Sequence, residues 1–340
     1  MSEKRPTIYD VARVAGVSRS LVSLVLRGSD KVSDASREAV ETAIAELGYR
    51  PSRAASELAS GRTETIAVLI DDYANTWFVD LLRGLEGELA RDGYRVSVVD
   101  TAGATDTEAL RRSVDALLSL RADAIVVARD LPPSLTGRTL TTAVAPPLVV
   151  AGTRLDMPEG VDGVANDDAA GARLVAEHLL ALGHRRIGHL AVAGGAGAAR
   201  RASFVAAVAA GGGEVIVVEH DGAATEAEGR AAALGLLRAH PELTAVFGAN
   251  DLMAIGVLGA ARELGIRVPE QLSVAGYDST EIAASGVIDL TTVDDRSYDM
   301  GVEVGRMVRD LVGGRPAAGE RRVLEPTLIP RGTTGPARRL

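Results

Sequence analysis

The 340-residue sequence predicts an α/β protein in two parts: a small all-α headpiece with a helix-turn-helix pattern, and a larger body of two similar lobes. Three observations predict this. Residues 7–28, TIYDVARVAGVSRSLVSLVLRG, hold two short helical stretches separated by a glycine. From Thr65 onward, apolar strand runs alternate with helical stretches, the pattern of parallel sheets flanked by helices. That period starts again after about residue 165, giving too many strands for one tidy sheet.

Thr7 caps a first helix, with Asp10 in capping-box position. Ile8, Val11, Ala12 and Ala15 give that helix one apolar face. Gly16 supplies the backbone freedom of the turn. Ser18 caps a second helix that runs to about Leu26, with Gly28 as its stop. Val22 and Leu26 are expected to face the first helix, leaving Arg19, Ser20, Ser23, Leu24 and Arg27 on the opposite stripe. The start of the second helix enters the major groove in such a motif, which places Arg19 and Ser20 against base edges. Ser33 caps a third helix, with Ala39, Val40, Ala43, Ile44 and Leu47 inward and Gly48 at its end.

Charge supports the division. Residues 1–62 hold ten Lys/Arg against eight Asp/Glu, a formal +2 in a chain of −9, so the remainder carries −11. The acidic average therefore hides a basic headpiece, the part suited to phosphate. Of the 37 basic residues 35 are arginine, throughout the body as well as the headpiece, so this is coding bias rather than a site. Cysteine is absent, which excludes a disulfide framework and thiolate chemistry. No apolar run approaches a membrane span, and MSEKRPTIYD lacks a signal-peptide core, so a cytoplasmic protein is expected.

Residues 49–62, YRPSRAASELASGR, join the two parts. Pro51 opens a short helix and Gly61 closes it. Leu58 is its only large apolar side chain, and one helix this short is marginal in water, so it needs a partner. In the body, strands are predicted at 65–70, 95–99, 124–128, 148–151, 187–192, 214–218, 244–248 and 272–276, with a final strand at 321–329. Helices are predicted at 78–91, 107–120, 168–182, 225–239, 251–264 and 297–312.

Headpiece, linker and body together resemble the lactose-repressor/galactose-repressor (LacI/GalR) family of transcriptional regulators over almost the whole chain. The similarity is carried by TIYDVARVAGVS, PSRAASELA, TIAVLI, HLLALGHRRIGHLA and VFGANDLMAIGVLGAARELGIRVPEQLSVAGYD. It implies a helix-turn-helix headpiece over 1–49, a hinge helix over 50–62, and a two-lobed periplasmic-binding-protein-like body. The lobes are expected at 63–163 plus 295–322 and at 164–294 plus 323–334, joined by three crossovers. It also implies that the linker folds on operator DNA, pairs with its copy and wedges Leu58 into the minor groove, where an apolar wedge kinks the duplex. The expected DNA contacts are Thr7, Tyr9, Ser18, Arg19, Ser20, Ser23, Leu24 and Arg27 of the headpiece, with Arg53, Ala55 and Leu58 of the linker. Leu24 stands where many members carry arginine; it can touch a thymine methyl but cannot pair bidentately with guanine.

A ligand of such a body sits beyond the carboxyl ends of the strands, between the lobes. Strand ends offer Asp71, Asp72 and Asn75, with Trp77 and Phe78 opening the next helix; Trp77, the only tryptophan, is a stacking platform or a core residue. Motif matching carries the family's effector contacts onto Arg200, Asn250 and Asp278, with Arg201 an alternative to Arg200. A guanidinium, an amide and a carboxylate suit vicinal hydroxyls. Asp295, in Asp294-Asp295-Arg296 where relatives often read R-Q-P, is expected to add a carboxylate near the cleft, favouring a polyol or a cationic group. A carbohydrate effector is expected ahead of a purine or nucleoside.

Enzyme readings find no support. The five histidines lack metal-ligand spacing, and Gly194, Gly195 and Gly197 lack the GK[ST] of a nucleotide loop and read as a cleft loop. No cofactor or metal is expected. A free-standing solute-binding protein would share the body but not residues 1–62. Two headpieces imply a homodimer on near-palindromic double-stranded DNA, and no heptad leucines follow Pro330 to build a tetramer. An effector between the lobes would then control operator affinity as inducer or corepressor.

Overall fold

The computed structural model describes residues 6–26, 29–49, 62–102, 104, 106–135, 140, 145–154, 159–220 and 224–338. The chain divides into two compact units, Met1–Thr63 and Glu64–Leu340.

The first unit holds α1 (Ile8–Val14), α2 (Arg19–Leu26) and α3 (Asp34–Leu47). The predicted start signals operate as expected. Asp10 accepts from both the amide and the hydroxyl of Thr7, at 3.0 and 2.8 Å. Ser18 Oγ accepts from the Leu21 amide, and Ser33 Oγ from the Ser36 amide. Gly16 and Gly48 both have left-handed φ, at 65° and 59°. Val11, Val22, Val25, Val32, Val40 and Ala43 form the core. One expectation fails here: Val25, not Leu26, lies beside Val22 in the core, and Leu26 is exposed. Leu21 and Leu24 also lean on that core, so the apolar stripe of α2 is rotated relative to the expected one. In a two-turn helix, spacings of i+3 and i+4 differ by one position, and packing against α3 decides between them.

The second unit has two sheets. β1 (Thr65–Ile70), β2 (Arg95–Asp100), β3 (Ala124–Ala128), β4 (Leu148–Ala151), β5 (Asp162–Asn166) and, from far along the chain, β11 (Arg321–Leu324) form a six-stranded sheet in the order β11-β5-β4-β3-β1-β2, parallel throughout. TIAVLI and AIVVA are buried along nearly their whole length because helices cover both faces. One face carries α4 (Trp77–Leu89) and α10 (Ser297–Val312); the other carries α5 (Thr107–Ser119). Met300, Val304, Met307, Val308 and Leu311 form the inner stripe of α10. Two glycines let α10 lie against α4 backbone to backbone. A methyl added at Gly301 would sit 2.0 Å from the Leu81 carbonyl oxygen, and one at Gly84 would sit 2.1 Å from that of Tyr298.

β6 (Arg186–Val192), β7 (Glu214–His220), β8 (Ala245–Gly248) and β9 (Ser273–Ala275) form a four-stranded parallel sheet in the order β7-β6-β8-β9. One of its cores takes in α6 (Asp168–Ala181) and α7 (Gly195–Ala210); the other takes in α8 (Glu226–Ala239) and α9 (Asp251–Glu263). β10 (Thr292–Asp294) and β12 (Thr327–Ile329) form an antiparallel pair beside it. The chain thus crosses between lobes three times, near 166–168, 294–297 and 324–327.

Three sequence expectations change. The strand at 321–329 is two strands, broken around Pro326, which has no amide to continue a ladder. Residues 164–166 and 323–324, assigned to the second lobe, lie in the sheet of the first. The glycine cluster is not a free loop: Gly195 and Gly197 are the first turn of α7, and Gly194 precedes it with φ 97°. Linker residues Arg53, Ala55 and Leu58, and Arg27, lie outside the described residues. No helix among the described residues is long and apolar enough to cross a membrane.

Candidate functional site

The carboxyl ends of both sheets face one cavity of about 680 Å³ between the lobes. That lies within the ordinary range for small-molecule sites. Asp72, Asn75, Trp77, Phe78, Arg200, Asn250 and Asp278 all line it. Asp295 does not.

Arg200 is the centre of the second-lobe wall. It projects from the second turn of α7 and is nearly buried. Its Nε donates to Asp168 Oδ1 at 2.7 Å and its Nη1 to the Ala249 carbonyl at 2.8 Å; Asp278 Oδ1 lies 3.5 Å from the same Nη1. The guanidinium also stacks 3.6 Å from the centroid of the Tyr277 ring. Burial opposes its charge, but Asp168 and Asp278 outweigh that and hold it protonated. Arg201, the alternative from sequence, pairs with Glu219 at the surface and does not line the cavity.

Asn250 caps α9: its Oδ1 accepts from the Met253 amide and its Nδ2 donates to the Ala224 carbonyl. One N–H and one lone pair of the amide are left for a ligand. Asp278 sits at φ 103°, its amide bonded to Val293, on a turn braced by Asp251. Asp251 accepts from the amide and hydroxyl of Thr280 and from the Thr292 hydroxyl. Burial drives the Asp278 carboxyl well above its ordinary range, against the pull of Arg200, and raises Asp251 to about 6.

The first-lobe wall departs from expectation. Trp77 is 8% exposed and packs edge-on against Phe78, so it is a wall of the cavity rather than an open platform. Its Nε1 donates to Asp295 Oδ2 at 2.7 Å. Asp295 is fully buried behind it, at the second crossover. The strand ends also contribute residues that sequence reasoning did not place in the site. Arg129 follows β3 and donates to the Thr101 hydroxyl and the Asp130 carbonyl, with its Nε 3.3 Å from Asp71. Arg154 follows β4 and also lines the cavity. Burial raises the Asp71 carboxyl, against the attraction of Arg129 and Arg154. Asp295 leaves the cavity while Arg129, Arg154 and Asp130 join it, so the lining carries four aspartates and three arginines and no longer owes its acidity to Asp295. The rule that ligands sit beyond strand carboxyl ends, applied to every strand, would have found both arginines.

A hydrogen bond spans the cleft. Asp130 Oδ2 accepts from the Gly195 amide at 3.0 Å, at the N-terminus of α7, where a helix favours an anion. A methyl added at Gly194 would fall 2.8 Å from the same oxygen, so glycine there admits the carboxylate.

In the headpiece, Ser18, Arg19, Ser20 and Tyr9 are exposed at the start of α2 and along α1. Arg19 donates to the Tyr9 hydroxyl at 2.7 Å and lies 4.6 Å over its ring, which pre-orients the guanidinium. Thr7 spends its hydroxyl proton on Asp10, whose carboxyl this holds below its ordinary range. Ser23 and Leu24 are half-buried; Leu24 packs on the core rather than standing clear on the outer stripe.

A helix-turn-helix unit carried with a two-lobed cleft that encloses polar side chains defines a ligand-responsive DNA-binding regulator. Residues 7–52 match the model of bacterial regulatory proteins of the lacI family, and residues 176–334 match a periplasmic binding protein-like domain. The chain is 35% identical to the HTH-type transcriptional regulator CelR of Thermobifida fusca, over 96% of this chain and 98% of that one. A CelR–cellobiose complex is 32% identical with a TM-score of 0.71, covering 97% of this chain and 100% of that one. The lac repressor dimer bound to operator and the anti-inducer ONPF is 29% identical with a TM-score of 0.85, covering 98% and 100%. The chain belongs to the lacI family, and it is an effector-controlled, DNA-binding transcriptional regulator.

Proposed function

We propose that this regulator is a dimeric repressor whose effector is a carbohydrate bound between the lobes. The observation that carries the proposal is the convergence of Arg200, Asn250 and Asp278 from one lobe on the aromatic wall of Trp77 and Phe78 from the other. Paired donors and acceptors serve neighbouring hydroxyls, while an aromatic wall covers the apolar face of a sugar ring. The cellobiose complex of a relative supports a glycoside as the first ligand to test. The lac repressor dimer on its operator supports a near-palindromic site read by two headpieces, with Arg19 and Ser20 at base edges.

The mechanism is a linked equilibrium. A ligand that prefers one angle between the lobes shifts their distribution, and operator affinity changes by the differential affinity, typically ~1–3 kcal/mol. The test is selection of the full chain against a randomised duplex library, followed by calorimetric titration with cellobiose, other sugars and purines. A recovered palindrome whose binding changes with a sugar supports the proposal. Binding of a purine with no response to any sugar refutes the carbohydrate reading.

A further inference from the structure

Asp295 is the one residue expected in the site that the structure places behind it, and its surroundings give it a different task. It lies in the second crossover, between β10 and α10. Its Oδ2 accepts a hydrogen bond from the Trp77 indole N–H, and its backbone carbonyl accepts from Asn166 Nδ2 at the end of β5. Both Trp77 and Asn166 line the cavity. One buried residue therefore fixes two wall residues to a segment that runs between the lobes. Its second carboxylate oxygen, Oδ1, is buried without a hydrogen-bond partner. A buried carboxylate with an unmatched oxygen is strained in its charged form and relieved by a proton.

We propose that Asp295 is a positioning residue for effector recognition: it sets the pose of the Trp77 indole on the cavity wall, and gain or loss of its proton changes that pose. The inference rests on the reading of this cavity as the effector site. The groups facing Asp295 are Arg200 from α7, Asp168 from α6, Tyr277 and Asp278 from the turn after β9, Trp77 from α4, and Asp294 on its own segment. Burial raises its carboxyl to about 7, with Arg200 and the Trp77 hydrogen bond opposing and Asp168 and Asp294 adding. The proton is thus exchanged near neutrality. The carboxylate attracts the indole N–H more strongly than the neutral acid does, so the proton state is felt at the ring.

Trp77 is the only tryptophan, so tryptophan emission in the full-length protein reports the surroundings of this one indole, and the Asp295→Asn comparison isolates the contribution of the bond. The emission is expected to titrate as a single step near pH 7 without any ligand. In Asp295→Asn, whose carbonyl still accepts from the indole, that step is lost. A flat wild-type titration, or a step that persists in Asp295→Asn, overturns the proposal. The second measurement is cellobiose affinity against pH. A change of about threefold or more between pH 6 and pH 8 is expected in the wild type, since a full unit of pKa change on binding is tenfold. It is expected to vanish in Trp77→Phe, which keeps an aromatic wall but has no donor; persistence there overturns the proposal even should Asp295→Asn fail to fold. If cellobiose binds neither protein at any pH, the glycoside reading of the cavity fails, and the ligand-free titration of Trp77 still decides the role of Asp295.

Discussion

Replacing Arg200 with methionine tests the organisation of the cleft most directly. The guanidinium holds Asp168 at 2.7 Å and the Ala249 carbonyl at 2.8 Å, lies 3.5 Å from Asp278, and stacks on Tyr277. Methionine fills much of the volume but leaves two buried carboxyls without their cation. Removing one partner of a buried pair costs ~3–5 kcal/mol. The stranded carbonyl adds ~1–3 kcal/mol and the lost stacking up to ~2, but these overlap with relaxation around the new side chain. A loss of about 3–5 kcal/mol is therefore expected. Urea unfolding of the full chain, followed by Trp77 emission, measures it. Adding Asp168→Asn to Arg200→Met should recover part of the loss, because it removes one stranded charge. A loss below about 1 kcal/mol for Arg200→Met, or a double variant that loses the full sum of the two single changes, refutes the account of Arg200 as the shared counter-ion of the cluster.

Three further outcomes are expected. Gly301→Ala drives a methyl to 2.0 Å from the Leu81 carbonyl oxygen, so α4 and α10 must separate; overpacking of this kind costs ~1–3 kcal/mol or more, read as a fall in the urea midpoint. Arg19→Ala should weaken operator binding by ~1–3 kcal/mol and relax selection mainly at one base pair of each half-site, whereas a uniform loss across sequences would assign Arg19 to phosphate instead. His189 is buried against Phe247, and burial lowers it from its ordinary value to about 4. The unfolded chain therefore binds more protons between about pH 4 and 6.5, so the stability contributed by neutral His189 is present above that window and falls by about 3 kcal/mol as pH drops through it; His189→Leu should flatten this limb of the stability–pH profile.

What was legible in the sequence was local. Thr7, Ser18, Ser33 and Gly48 announce helix ends through their own backbone chemistry, and TIAVLI or AIVVA declare buried strands through uninterrupted apolar runs. What was not legible depended on partners distant in sequence. DGVAN carries no apolar run, yet it becomes β5 because β4 and β11 flank it. GAARRASF was legible as the start of a helix, but the glycines before it read as a loop, and they form its first turn, packed on the Val192 carbonyl. Arg200, Asn250 and Asp278 were found through motifs at strand ends. Arg129 and Arg154 occupy the same kind of position without a motif to mark them. Asp295 was expected beside the ligand space because of its charge, but a bond across 218 residues to Trp77 places it behind the wall. The choice between Val25 and Leu26 turned on a single position of helix phase.

The hydrogen bond from the Gly195 amide to Asp130 is built wholly from the chain itself, so it acts before any visitor arrives. A contact of this kind sets how often the unoccupied cleft is already shut. A charged hydrogen bond worth about 1.5 kcal/mol multiplies that resting population by about tenfold and lowers by the same factor the concentration at which a cleft-closing ligand is half effective. Position 130 would in that sense set sensitivity while also lining the ligand space. Weakening the tie raises the detection threshold and widens the gap between the idle and the saturated response. A stronger tie makes a sensor that responds to scarcer signals but rests partly triggered.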